Sequence, residues 1–344
     1  MDAPIDLPED SSSQPPARGR LARPWLWGVI VPVLVGVAHG LMARYVFGSA
    51  QLESFFGVMT VSFIFIVPFS LGLLTVSLAE RTGPISMPQT VTLPAGAALL
   101  ALAASMALAW EGLICVVLWL PLYFVLSVLG GLAASAIAQS RRSAAARNAT
   151  LSGLILAPYL LAPLESRFTP PQNVRVVENS IVIRAPIETV WANIARVPTF
   201  REEEHHFAWS HLIGFPRPLE ATLSHEGVGG VRHATFERGV LFIETVTHWA
   251  PNERLTFSIH ADATTIPPTT LDEHVTVGGP FFDVLEGEYE LHPQDDGTVL
   301  LELRSRHRVS THFNFYATLW TDWIMSDVQA YILEIVRRRC EAAR

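Results

Sequence analysis

The stretch TVLLELRSRHRV, residues 298–309, decides how the second half of this chain folds. Val299, Leu301, Leu303, Ser305, His307 and Val309 fall on one side of an alternation, with Glu302, Arg304, Arg306 and Arg308 on the other. Side chains alternate faces along a strand, so this is a strand with one face in a core and the other in water. The preceding PQDDG, residues 293–297, is a hairpin loop by composition. Before it, residues 281–292 put Phe281, Asp283, Leu285, Tyr289 and Leu291 inward, and Glu286, Glu288, Glu290 and His292 outward. With His292 and Thr298 flanking the loop, Asp283 faces His307 and Leu285 faces Ser305. A bulge, for example at Gly287, would shift that register.

Working outward, further strands are expected near 218–225, 228–238, 240–249 and 254–261, the last contributing Leu255, Phe257 and Ile259 to the interior. Gly227-Val228-Gly229-Gly230 reads as a turn rather than a phosphate loop. Residues 312–340 form a long helix, because Phe313, Ala317, Trp320, Ile324, Val328, Tyr331 and Ile335 recur at three-and-four spacing. Upstream, 174–184 ends in strand alternation at Ser180–Arg184. Pro186 and Glu188 then open a helix carrying Val190, Trp191 and Ile194. Pro198–His206 is expected as a second short helix, with Glu202, Glu203 and Glu204 solvated and His205-His206 an exposed pair.

The order is strand, helix pair, about six antiparallel strands and a long helix. With Ser180-Ile181-Val182-Ile183-Arg184-Ala185-Pro186, Val190-Trp191, Trp249-Ala250-Pro251 and Arg254-Leu255, it resembles the START and birch-allergen-like superfamily, also called SRPBCC or polyketide cyclase/lipid-transport-like. The resemblance covers about 174–341. It implies a helix-grip fold, a curved sheet around a long helix with a mostly apolar cavity between them, and binding of lipids, sterols or polyketides. Some members of the superfamily cyclise or hydrolyse such ligands. The shared motifs are structural and select no one activity.

Four polar-capable groups stand on the apolar face: Asp283, Tyr289, Ser305 and His307. An opposed Asp283 and His307 would orient one imidazole tautomer. That pair reads as a cross-strand pair closing the cavity mouth, as recognition of a ligand head group, or as an acid/base couple. The expected ligand-binding set is these four with Phe257, Ile259, Tyr316, Trp320 and Trp323; the last three, at the start of the long helix, also suit core packing or a membrane interface. No nucleophile elbow accompanies His307, and neither metal nor cofactor is expected. Asp272-Glu273-His274 lacks metal-ligand spacing and lies in a long connector, 262–280, that reads as a lid or a disordered piece.

The first half is of another kind. The whole chain of 344 residues is 50% hydrophobic and only 16% charged, where soluble proteins carry about 25% charge. Apolar runs near Trp25–Phe47, Phe55–Ala79, Val91–Trp110 and Leu113–Ala138 each exceed the ~18 residues of a spanning helix. A fifth, Leu151–Leu164, is short and contains Pro158 and Pro163; it spans or lies re-entrant. Gly36 and Gly40 permit close helix packing, and His39 is a lone intramembrane ionisable group. The length of the first run favours a retained helix over a cleaved leader. Arg18, Arg20 and Arg23 before the first run, and Arg141, Arg142 and Arg147 after the fourth, place those segments on the cytoplasmic side.

The expected organisation is a disordered tail (1–23), an α-helical transmembrane bundle of about five helices (24–164), a linker (165–173) and an α+β START-like domain (174–341). The expected setting is multi-pass, in a bacterial inner membrane. The C-terminal domain is extracytoplasmic if the fifth run spans, and cytoplasmic if not. That acidic half, with 16 Arg against 25 Asp and Glu, excludes nucleic acid as a natural partner. The expected function is membrane-tethered binding or transfer of a hydrophobic molecule, a lipid above all. The alternatives are an enzyme acting on a lipid-like or polyketide-like substrate and a ligand-responsive membrane sensor.

Overall fold

Each of the first four apolar runs contains a proline, and the bundle is built to absorb them. The computed structural model describes residues 26–141, 143–261 and 276–342. The N-terminal tail and most of the 262–280 connector, with Asp272, Glu273 and His274, lie outside the described residues. Helices α1 (Trp27–Phe47), α2 (Ser62–Glu80), α3 (Met87–Ala107) and α4 (Leu113–Ala138) are each long and apolar enough to cross a membrane. Proline lacks an N–H and its ring clashes with the carbonyl four residues back. Wide π turns, Leu26–Ile30 and Ser62–Ile66, accordingly precede Pro32 and Pro68. The Ile64 carbonyl, which Pro68 cannot satisfy, accepts the Trp119 indole N–H from α4 at 3.1 Å.

α2 and α4 cross closely because each presents a glycine: a Cβ on Gly72 would collide with the Ser127 carbonyl, and one on Gly130 with the Phe69 carbonyl. The fifth helix, α5 (Ala144–Glu165), starts earlier than the apolar run suggests. Ser143 caps it, accepting from the Ala146 N–H, and the helix runs through Arg147 and Asn148. Its 22 residues reach about 33 Å. At its far end the Glu165 carboxylate accepts from the Val61 N–H (2.5 Å), the Ser62 N–H (2.9 Å) and the Ser62 hydroxyl (2.8 Å). A carboxylate suits the positive N-terminus of α2. This contact places the end of α5 beside the start of α2.

The second half is a seven-stranded antiparallel sheet in the order β1-β7-β6-β5-β4-β3-β2. The strands are β1 (Gln172–Ile183), β2 (Pro218–Leu223), β3 (Val231–Phe236), β4 (Leu241–Ala250), β5 (Arg254–Ala261), β6 (Phe282–Pro293) and β7 (Val299–Ser310). With α6 (Ile187–Ala195), α7 (Trp209–Leu212) and the 29-residue α8 (Asn314–Ala342), they form a START-like helix grip. Over 198–206 there is only a single tight turn, Glu202–Glu204, where a short helix was expected.

The β6–β7 register differs from the sequence-based one. His292 pairs with Leu300, not Thr298, and a bulge lies between Val284 and Glu286. Asp283 therefore faces Arg308, His307 faces Val284, and Ser305 faces Gly287. Leu285 is taken up in the bulge, which reverses the facing of everything before it. Val284 turns into the core, and Asp283 leaves the inward row.

The interior is filled by side chains over most of its length. Ile183, Val190, Ile194, Leu255, Leu301 and Leu333 form one cluster, and Phe200, Phe236, Phe242, Tyr331 and Ile335 a second. Phe257 and Tyr289 belong to the first, and Ile259 packs against both.

Glu204 is not solvated as expected. It takes a bidentate pair from Arg339 of α8 (2.6 and 2.8 Å), and Arg339 also donates to the Pro198 and Thr199 carbonyls. That hydrogen bonding lowers the Glu204 carboxyl to about 2. A carboxyl depressed on folding contributes stability above its unfolded value that is lost as pH falls. Arg339→Ala is expected to destabilise the domain by about 3 kcal/mol, since it strands a buried carboxylate. The wild type should lose a comparable increment between about pH 5 and pH 2, and the variant should lose little. Denaturant melts across that range check both.

Candidate functional site

The first turns of α8 do not touch the sheet alone; they also lie against the helical bundle. Phe313 is buried with Ala43, Phe47, Phe63 and Val67 of the bundle. The Tyr316 hydroxyl donates to the Leu118 carbonyl of α4 at 2.5 Å. Two to three turns on, Ile324 and Val328 share a cluster with Ile114 of α4 and with Ile213. These contacts bracket a cavity of about 150 Å³. The bundle contributes Val58, Phe63, Ile64, Ile114, Leu118 and Trp119, and the grip domain contributes Phe215, Phe281, Phe282, Val309, Tyr316 and Trp320. The walls are almost wholly apolar. Polar groups are few: Glu111, which pairs with Arg44, Cys115, Thr311, Thr321, the Tyr316 hydroxyl bonded to Leu118, and Trp320, whose buried indole N–H makes no well-aligned hydrogen bond among the described residues.

Tyr316 and Trp320 of the expected set thus line the cavity. Trp323 lies beside Trp320, with ring centroids 6.1 Å apart, and is partly exposed. Phe257, Ile259 and Tyr289 lie deeper, in the packed core, and burial pushes the Tyr289 phenol up to about 12. Ser305 is held in a structural network: the Gln329 amide donates to its hydroxyl (2.8 Å) and to the Val177 carbonyl (3.1 Å), and Asn179 donates to Gln329 (2.8 Å).

His307 is fully buried directly behind the cavity wall. Its Nε2 is 3.3 Å from the Thr321 hydroxyl and 3.3 Å from an Asp322 oxygen. Asp322 is in turn held by Arg175 of β1 at 2.6 Å. The carboxylate that faces His307 therefore comes from α8 and not from Asp283 on the neighbouring strand. One Asp283 oxygen is buried without a partner among the described residues, and burial raises its carboxyl against the opposing pull of Arg308. Burial lowers the His307 imidazole, with Asp322 opposing. A neutral imidazole whose Nε2 carries the proton toward Asp322 leaves Nδ1 as an acceptor, and that Nδ1 has no partner among the described residues.

The sequence reading missed a buried ion pair. Arg232 of β3 faces Glu244 of β4 at 3.1 Å, with the guanidinium 4.7 Å above the Phe257 ring. Arg232 Nε and Nη1 and Glu244 Oε2 lack well-aligned hydrogen bonds. Burial raises the Glu244 carboxyl, and Arg232 opposes the rise. Phase gave the available signal: Arg232 alternates with Ala234 and Phe236, and Glu244 with Phe242 and Val246. His205 and His206 are not an exposed pair either. Both lie against Tyr331, with His206 stacked at 4.4 Å, and His211 meets the same ring edge-on at 4.4 Å. On the outer face, Glu290, His292 and Glu302 come together, but Arg254 already holds Glu290 at 2.8 Å, so the group is an ion-pair ladder.

No family model and no curated protein matches the chain. Similar solved structures include a START superfamily protein from Mycobacterium smegmatis, at 12% identity over 49% of this chain and 99% of that one, with a TM-score of 0.33. A protein from Nitrosospira multiformis is 22% identical over 49% of this chain and 100% of its own, TM-score 0.28. Truncated norcoclaurine synthase from Thalictrum flavum is 12% identical over 48% and 93%, TM-score 0.31. The fold assignment rests on the strand order and the long helix themselves.

The imidazole of His307 should titrate below the ordinary 6.5. Asp322→Asn is expected to lower it further, and Asp283→Asn to leave it unchanged. Imidazole NMR titrations of the three proteins decide this; a shift with Asp283→Asn alone would restore the strand-to-strand pairing.

Proposed function

We propose that this protein binds a hydrophobic small molecule at the seam between its membrane helices and its START-like domain, and exchanges it with the adjoining bilayer leaflet. The observation that carries this reading is the shared wall: helices apolar enough to span a membrane form one side of the cavity, and α8 with the sheet rim forms the other. Apolar cavities of this size stay dry and take up apolar groups. A volume of about 150 Å³ accommodates a ring or a short alkyl segment, less than the ~300 Å³ or more of a site enclosing a drug-sized ligand. The cavity therefore receives one end of a longer molecule, and the remainder stays in the leaflet. Each methylene kept out of water conserves about 0.8 kcal/mol, so exchange along the seam avoids the aqueous step that slows a free carrier. The Trp320 N–H, which makes no well-aligned hydrogen bond among the described residues, offers one to a ligand acceptor.

In this reading α5 is a fifth span. The end of the bundle bearing the domain holds Arg44, paired with Glu111, and Glu165, which caps α2. Arg81, Arg141 and Arg147 lie toward the other end, where α1 begins. Arginine excess marks the cytoplasmic side, which puts the START-like domain on the opposite side.

The test is native mass spectrometry of the full chain released from nanodiscs. The wild type is expected to retain a reproducible apolar adduct. Ala317→Phe, which fills the cavity from α8, is expected to lose it, and Val228→Ala at a distant turn to keep it. Trp320→Phe should weaken retention about tenfold or less, the loss of one hydrogen bond. Equal retention by Ala317→Phe would remove the cavity from the account, and conversion of the adduct dependent on His307 would make the protein an enzyme.

A further inference from the structure

Two segments at the membrane-facing rim of the grip domain turn large apolar side chains outward. Phe207, Trp209 and Leu212 surround the single-turn α7, and Phe315 and Leu319 stand one turn apart on α8; each is more than half exposed. Residues 207–216 (FAWSHLIGFP) and 313–321 (FNFYATLWT) hold no Arg, Asp or Glu. Scattered exposed apolar residues are ordinary, but two uncharged clusters on one rim are not.

Both clusters continue the interface between domain and bundle. Leu212 precedes Ile213, which is buried with Ile114 in the first turn of α4. The Phe315 ring is 5.7 Å from Phe65 near the start of α2, and its neighbour Tyr316 bonds the Leu118 carbonyl. These are the first turns of two helices apolar enough to span, the depth at which a bilayer passes from head groups to hydrocarbon. The outward orientation is enforced from behind. The Ser210 N–H donates to Asp327 of α8 at 2.8 Å, and His206 and His211 pack on Tyr331. The polar back of the 207–212 segment is thereby fixed to α8, and Phe207 and Trp209, with ring centroids 5.0 Å apart, project away from it.

We infer that Phe207, Trp209, Leu212, Phe315 and Leu319 form a collar that inserts into the bilayer leaflet facing the domain, so that the grip domain sits partly submerged rather than above the head groups. The occupant of this surface is lipid. An aromatic and aliphatic set of this kind suits the interfacial zone, where apolar faces sink about 5–10 Å. The inference rests on reading the apolar helices as membrane spans, and it adds a second, reversible attachment close to the cavity that Phe215 and Trp320 line.

The experiment uses the full chain in phosphatidylcholine nanodiscs, with Cys115→Ala and Cys340→Ala, and one environment-sensitive label on a cysteine introduced at a chosen site. Labels are placed by Trp209→Cys, Leu212→Cys, Phe315→Cys and Leu319→Cys. Val125→Cys in the middle of α4 and Val228→Cys in the β2–β3 turn, at the opposite end of the strands, serve as references. Collar labels are expected to be quenched by shallow doxyl lipid at least about threefold more than the Val228→Cys label, and to resist aqueous iodide. If Val125→Cys is quenched by deep doxyl lipid while the collar labels respond only to iodide, the helices span and the collar is wrong. If Val125→Cys is not quenched, the membrane anchor itself fails. Collar labels shielded from both quenchers would mean that protein covers the surface, and would also overturn the inference. Should the cysteine-free chain not fold, shallow doxyl quenching of intrinsic tryptophan in wild type and Trp209→Phe makes the same comparison: loss of a quenched component supports the collar, and no change rejects it.

Discussion

One helix has to satisfy two solvents. The C-terminal part of α8 buries Tyr331, Leu333, Ile335 and Val336 against the sheet, and its first turns bury Phe313 and Ile324 against the apolar helices. Its residues enter clusters with the sheet and with the apolar helices alike. The register in which α8 meets α4, marked by the Tyr316–Leu118 hydrogen bond, is central to how the domain sits on the bundle. The cavity is a by-product of that arrangement. Rings at Phe63, Trp119 and Trp320 line the gap without closing it.

The grip interior shows a second division. Near the seam the surroundings are apolar, whereas deeper in the domain polar groups recur: Ser305 with Gln329, and Arg232 with Glu244. The first pair is hydrogen-bonded onward to Asn179 and Val177, and so incurs little desolvation cost. The second retains unaligned donors and an unaligned acceptor over an aromatic ring. Replacing such an ion pair by apolar residues is often neutral or stabilising, so its presence is not explained by stability alone.

How much of this is legible in the sequence depends on the range of the interaction. Alternation at Val299–Val309 and the three-and-four stripe of α8 are short-range patterns, and they correctly placed β7, the long helix and its buried face. The β6 register failed by two residues at the hairpin, where His292 pairs with Leu300 and Thr298 lies outside the paired residues, and by one beyond the bulge at Leu285; loop composition does not fix which residues close the turn. That slip misassigned the carboxylate facing His307, which Asp322 supplies from α8. Helix α5 was read as too short because its first turns carry Arg147 and Asn148, residues an apolar-run count discards. The expected cavity was placed between sheet and helix, where Phe257 and Tyr289 are in fact core. Its position at the seam depends on how two separately legible halves meet, and no local pattern in either half encodes that meeting.

The connection from α5 to β1 has a mechanical consequence. Only residues 166–171 separate Glu165 from Gln172, a segment that extends to about 20 Å at most. The domain it holds is itself roughly 40 Å across. Even with α8 released from α4, such a short leash lets the domain tilt or pivot but not travel. Under the proposed function, a ligand is therefore picked up and set down in cis, on the membrane that holds the helices; delivery to a second membrane would require another molecule to take the cargo over.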